Sequence, residues 1–279
     1  MKAAFLLVIY YHYMNARLFK SIIVLAVFLI GLFYLYTWGV KNKKVEQPLQ
    51  KDEQHTGVQI EDQVYKTPNS YSVLNIVYPK FTGVDPQFNK KIEDFVQARI
   101  AEHIANAQGN WQARHDTDPD NFPAIPQNEQ DKFQFFVKYD ISQVNDRSIS
   151  ILLRYGGYEG GAHGYENLEA FNYDVVAQKE LFLKDFFPND PQYLVTVSKY
   201  TRDALVAQFK KQALADGATE TNWKDAVSVE MINEGTSPNL ANFATFTFSD
   251  EALIFHFPEY QVAPYVMGEQ QVVMPRGKK

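Results

Sequence analysis

Residues 18–40 are almost wholly apolar, running through Ser21-Ile22-Ile23-Val24-Leu25 to Leu35-Tyr36-Thr37-Trp38 with no polar face. A helix rising about 1.5 Å per residue crosses about 30 Å of hydrocarbon in about 20 residues, so this stretch predicts one transmembrane helix. Tyr34, Tyr36 and Trp38 gather at its far end as an interfacial belt. A buried core helix would keep a polar stripe. A cleaved signal peptide would be shorter and followed by a small-x-small site, but residues 34–44 contain no Ala-x-Ala. An uncleaved signal anchor is therefore expected; three basic groups on each side of it leave its orientation open. Residues 1–17 form a short tail in which Met14 reads as an alternative start. Residues 41–68 are polar and read as a flexible stalk.

From residue 69 the pattern changes to the periods of packed structure. Tyr71, Val73, Asn75 and Val77 alternate with their neighbours and predict a strand ending at Tyr78-Pro79. Asp85-Pro86 is an N-cap followed by proline at the first helical position. Phe88, Ile92, Phe95, Val96, Arg99, Ile100, His103, Ile104, Ala107 and Trp111 then recur at helical spacing. Residues 116–130 read as a long loop. Phe133, Phe135, Val137, Tyr139 and Ile141 form one face of a strand, Asn145-Asp146 a turn, and Ile149, Ile151, Leu153 and Tyr155 the returning strand. A strand with Phe171, Tyr173 and Val175 and a short one at 180–183 complete a meander.

Asp190-Pro191 repeats the capping device before a helix to about Lys211, with Leu194, Val197, Thr201, Leu205 and Phe209 inward. A shorter helix at 223–233 stops at Gly235. Strands follow at 243–248, 253–257 and 270–274. The expected fold is α+β: an antiparallel sheet with two or three packed helices, preceded by one N-terminal transmembrane helix. Residues 69–279 are one domain, helical in its first part (69–130) and continuing through 131–279.

Charge adds a direction. Residues 1–44 hold six basic groups and no acidic one, so beyond them 21 basic residues face all 33 acidic ones. Such a domain repels nucleic acid and favours cationic partners. Cysteine is absent, which excludes disulfides and thiolate metal sites.

Five of the 14 glycines lie in Tyr155-Gly156-Gly157-Tyr158-Glu159-Gly160-Gly161-Ala162-His163-Gly164-Tyr165. This much glycine implies a specified backbone path. Tyr158, Glu159, Gly160, Gly161, His163 and Tyr165 are the candidate contact residues of this loop. The bland alternative is that the glycines set a backbone crossing and His163 satisfies buried carbonyls. Tyr260 and Tyr265, in a segment with Pro258 and Pro264, are either core closure or a recognition edge. His103 reads as a packed, hydrogen-bonded core histidine, and His256 as facing outward between Phe255 and Phe257. The chain has no His-Glu-x-x-His, Gly-x-Ser-x-Gly or phosphate-binding Gly-Lys-Ser/Thr, so no catalytic residue, metal or cofactor is expected.

Several patterns occur in order: Tyr155-Gly156-Gly157 with Gly160-Gly161-Ala162-His163; Phe171-Asn172-Tyr173-Asp174 before Leu181-Phe182-Leu183-Lys184-Asp185-Phe186-Phe187; Phe246-Thr247-Phe248-Ser249-Asp250; and Glu259-Tyr260-Gln261-Val262-Ala263-Pro264-Tyr265. Together they resemble the extracytoplasmic domain of the RsiV family of membrane-anchored anti-sigma factors, which also occurs beside catalytic domains in some peptidoglycan deacetylases. The resemblance implies a single-pass protein of the bacterial cell membrane with its C-terminal domain extracytoplasmic, a non-catalytic binding domain whose partner is a cationic protein such as lysozyme. It departs at the short N-terminal tail, which leaves little room for a sigma-binding element, and at Gln178, a turn position where the family commonly has glycine. Two other classes stand beside it: a cell-wall-modifying enzyme or accessory domain of one, and a structural envelope component.

Overall fold

The computed structural model describes residues 57–276. These residues lie within one compact unit, Gln54–Lys279. The expected tail at 1–17, the anchor at 18–40 and the first part of the stalk lie outside the described residues. Among the described residues no helix is long and apolar enough to cross a membrane.

Strands β1 (Gln59–Val64), β2 (Ser72–Thr82), β3 (Phe133–Val144), β4 (Ser148–Tyr158), β5 (Tyr165–Asp174) and β6 (Lys179–Glu180) form one sheet in that order. The sheet is mixed, which corrects the antiparallel expectation: β2 and β3 run parallel, and the other pairs antiparallel. The cause is α1 (Pro86–Thr117), which carries the chain back to the end where β2 began. Asp85 caps it as expected, accepting from the Gln87 N–H at 2.9 Å. Its buried face begins with Phe88, Ile92, Val96 and Ile100, packed on Ile76, Phe135, Val137, Ile149, Ile151, Leu153 and Phe171, and continues through His103 on Phe135 to Ala107 and Trp111, which pack on Phe133.

Two local expectations change. β1 lies inside the stretch read as stalk; most of its side chains are exposed, so it carries no apolar alternation to signal it. In β2 the inward set is Leu74, Ile76 and Tyr78, not Val73, Asn75 and Val77, because both sets hold β-branched or aromatic residues and a shift of one position swaps faces.

The second sheet is β7 (Phe246–Phe248), β8 (Ala252–Phe257) and β9 (Gln270–Pro275), all antiparallel. It packs with α2 (Tyr193–Ala215) and α3 (Val229–Gly235) around Leu205, Phe209, Ile232, Phe243, Phe255 and Phe257. Asp190 still caps locally, but α2 begins later than its Asp-Pro signal, at Tyr193. The expected third helix is split into a 3-10 turn, Trp223–Ala226, and α3, capped by Ser228.

β4 is buried on both sides. Ile149, Ile151 and Leu153 face α1, while Ser150 meets the second sheet, donating to Asn172 Oδ1 (2.7 Å) and accepting from the Phe248 N–H (2.8 Å). The Asn172 amide donates to the Phe246 carbonyl at 2.8 Å. A second polar chain crosses the same joint: Ser142 donates to Thr247 Oγ1 (2.8 Å), Thr247 Oγ1 meets His256 Nε2 (2.9 Å), and His256 Nδ1 meets Glu269 Oε1 (2.8 Å). Glu269 Oε2 then accepts from Arg154, which also donates to Asp140 (2.6 Å) and Glu166 (3.0 Å). His256 is thus buried at 6% exposure, correcting its outward placement. The side of β8 turned away from α2 is covered by the first sheet rather than by water.

Burial pushes the Glu269 carboxyl up, but hydrogen bonds from His256 and Arg154 and the guanidinium charge outweigh it and hold it at about 2. The folded value lies below the ordinary one, so the stabilisation is complete above about pH 4.5 and is lost as pH falls toward about 2, a contribution on the order of 3 kcal/mol. Urea unfolding should therefore lose stability across that window, and Glu269→Gln should flatten the loss. An equally steep acid limb in the variant would remove Glu269 as its source.

Candidate functional site

The glycine-rich stretch is shorter as a loop than its composition suggests. β4 continues through Gly156 and Gly157 to Tyr158, and β5 starts at Tyr165, so only residues 159–164 are irregular. A Cβ on Gly157 would fall 1.9 Å from the Gln134 carbonyl oxygen, and one on Gly156 would fall 2.0 Å from that of Tyr165. These two glycines let the backbones of β3, β4 and β5 close up, as the bland reading of the stretch required.

Glu159 turns inward. Its Oε1 lies 2.7 Å from His103 Nδ1 and accepts from the Tyr165 hydroxyl at 3.1 Å. His103 Nε2 lies 2.9 Å from Ser72 Oγ, and the ring stacks on Phe135 with centroids 4.6 Å apart. An ionised carboxylate only accepts, so Nδ1 carries the proton and Nε2 accepts from Ser72. Burial pushes the His103 imidazole down, against the Glu159 carboxylate that pulls it up, which favours that neutral tautomer. The order Ser72–His103–Glu159 is that of a hydrolytic relay. Ser72 and His103 are only 3% and 1% exposed, however, so the relay meets no substrate in this conformation. Its geometry is that of a pin joining β2, α1 and the loop. Ser72 was not among the sequence candidates, since it stands 31 residues from His103 and Glu159 another 56 beyond it.

The other candidates lie outside the pin. Gly160 has φ +82° and its carbonyl accepts from Arg114 at 3.2 Å. Gly161 is exposed, and Tyr158 is 45% exposed at the end of β4. His163 is exposed and stacks on Tyr265, centroids 4.0 Å apart at 30°. Tyr265 stacks in turn on Tyr260, at 5.7 Å and 30°. The Tyr265 hydroxyl donates to the Gly164 carbonyl at 3.1 Å, tying loops 101 residues apart. Tyr260 is 57% exposed and sits at φ +68°, a conformation a bulky side chain adopts only when its surroundings impose it. The outcome is a three-ring ladder at the surface, assembled from two separately chosen candidate segments. Beside it, burial and then the Glu166 carboxylate push the Glu259 carboxyl up, against His163. Among the described residues no group of three or more His, Cys, Asp or Glu could hold a metal ion.

Comparison with known proteins matches two families to separate parts of the chain. Residues 64–166 match the family described as "Deacetylase PdaC", and residues 184–277 the family described as "Protein of unknown function (DUF3298)". Over 254 residues the chain is 26% identical to the peptidoglycan-N-acetylmuramic acid deacetylase PdaC of Bacillus subtilis (strain 168); the match covers 91% of this chain. It covers 47% of that protein, so the chain spans about half the length of the curated relative it matches. A crystal structure of a DUF3298 family member from Bacteroides fragilis has the same fold, with a TM-score of 0.51 at 15% identity, covering 80% of this chain and 92% of that one.

Proposed function

We propose that this chain is a membrane-anchored, non-catalytic binding domain of the bacterial cell envelope that takes a cationic protein partner, of the lysozyme class, on its aromatic ladder. The observation that carries the proposal is the surface stack of exposed His163, half-buried Tyr265 and exposed Tyr260, with Glu259 alongside. Aromatic faces and carboxylates in one patch suit lysine and arginine side chains, through ring quadrupole and charge together. The acidic balance beyond residue 44 acts in the same direction at longer range. The family resemblance and the apolar stretch at 18–40 support the placement outside the membrane.

A second reading takes peptidoglycan itself as the ligand, with sugar rings lying on the ladder. It is favoured by the name of the B. subtilis relative, a peptidoglycan deacetylase. The buried, inaccessible Ser72–His103–Glu159 relay argues for binding rather than chemistry in either case.

The test is equilibrium binding of the full chain in detergent to lysozyme and, separately, to purified peptidoglycan. Saturable binding to lysozyme is expected at physiological salt, weakened at least about tenfold by Tyr265→Ala and less by Tyr265→Phe, which keeps the ring. Binding to peptidoglycan alone selects the second reading. Unchanged affinities for Tyr260→Ala and Tyr265→Ala would remove the ladder as the contact surface.

A further inference from the structure

β5 is paired along its length with β4 on one side, but on the other only with the two residues of β6, at Tyr173 and Asp174. Asn172 turns its carbonyl to that outer edge, accepting from the Leu181 N–H at 2.9 Å. Ala170 and Leu168 share its parity, so their N–H and C=O groups point the same way. Among the described residues no strand covers them.

At this edge lies a cavity of about 390 Å³. Its walls come from both faces of β5. Phe88 and Lys91 of α1, with Glu169, stand on one face; Ala170, Phe243 and Phe246 stand on the other. Successive side chains of a strand point to opposite faces, so a cavity sharing both lies across the strand edge itself. Phe182 and Leu240 line it too, and are 55% and 54% exposed.

Glu169 gives the space a charge preference. Burial pushes its carboxyl up, against the nearby Lys91 and Arg99. Both of those cations are bonded elsewhere, Lys91 to Glu180 at 2.5 Å and Arg99 to Glu102 at 2.7 Å. Among the described residues no side chain gives Glu169 a direct hydrogen bond.

We propose that the outer edge of β5 captures an extended peptide segment of a partner protein by strand addition, antiparallel to β5 in continuation of β6. A basic residue of the peptide sits opposite Glu169, and its two apolar neighbours enter the cavity beside Phe243 and Phe246. The main-chain groups of Leu168 and Ala170 supply the ladder bonds, and the cavity and Glu169 supply the selection. The site is independent of the aromatic ladder and of whatever that ladder binds.

The probe is the blocked heptapeptide Gly-Thr-Leu-Lys-Leu-Thr-Gly, titrated against the full chain in detergent. Saturable binding is expected, with slowed amide exchange at Leu168 and Ala170. Affinity should fall about tenfold or more when the peptide lysine is replaced by glutamate or the chain carries Glu169→Gln. N-methylation of the leucine amides should abolish binding, which a contact made by side chains alone would not show. Ala170→Pro, which removes an outward N–H, should do the same, and the N-methylated peptide makes this point even if that variant fails to fold. No binding up to about 1 mM, equal binding of the lysine and glutamate peptides, or full binding of the N-methylated peptide would each overturn the proposal. So would concentration-dependent dimerisation that the peptide does not disrupt, since the edge would then be occupied by a second copy of the chain.

Discussion

Replacing Arg154 by methionine is expected to lower the unfolding free energy by about 3–5 kcal/mol, the usual loss when one partner of a buried ion pair is removed. The guanidinium side chain is 13% exposed and serves three carboxylates, Glu269, Glu166 and Asp140. Burial works against its charge, but Glu269 and then Asp140 outweigh the burial and keep it protonated. Without it, Glu269 stays at 15% exposure with only His256 and Gln271 as hydrogen-bond partners. Asp140 contributes little to the expected loss, since it is 58% exposed and water can replace the arginine. The double variant Arg154→Met/Glu269→Gln should recover part of the loss, because it removes the stranded charge. Urea unfolding of the three proteins measures this. A single-variant loss below about 1 kcal/mol would mean that the joint between the sheets does not depend on the network.

Gly157→Ala should cost about 3 kcal/mol, and lower the melting temperature by about 6–12 °C, through one added carbon. The new Cβ would stand 1.9 Å from the Gln134 carbonyl oxygen, and backbone paired on both sides, with Phe135 of β3 and Tyr165 of β5, cannot swing aside as a side-chain tip can. Gly161→Ala is the internal control, since its nearest neighbour would be the His163 carbonyl oxygen at 3.9 Å. It should stay within about 0.5 kcal/mol of the parent. Equal melting temperatures for the two variants would show that β3 and β4 separate at little cost.

The comparison of sequence and structure turns on the range of each signal. α1 was legible because Phe88, Ile92, Val96 and Ile100 repeat within one segment and Asp85-Pro86 marks its start. The two faces of β4 were half legible: Ile149, Ile151 and Leu153 alternate, but nothing local says that Ser150 faces a second sheet. The parallel pairing of β2 with β3 depends on where a helix returns the chain, which periodicity does not encode. His256 was misplaced for the same reason, since its partners Thr247 and Glu269 are themselves held by Ser142 and Arg154, far away in sequence. Of the candidate site residues, the sequence identified His163, Tyr260 and Tyr265 one by one, and the structure stacks them. It could not show that Glu159, in the same loop as His163, points into the core. The turn noted at Gln178 has a physical basis too: its φ is +51°, the left-handed region where glycine is at ease.

The docking of β7 on Ser150 and Asn172 has a consequence for the order in which the chain matures. A chain synthesised from its N-terminus presents β1, β2, α1, β3 and β4 before the later strands emerge. β7 has only three residues and rests on a serine and an asparagine that belong to β4 and β5. The C-terminal half is thus expected to fold onto a template already laid down, and a chain truncated before residue 246 should leave the Ser150 side of β4 open to chaperones and proteases. Cellular quality control would read that uncovered strand as the mark of an unfinished molecule.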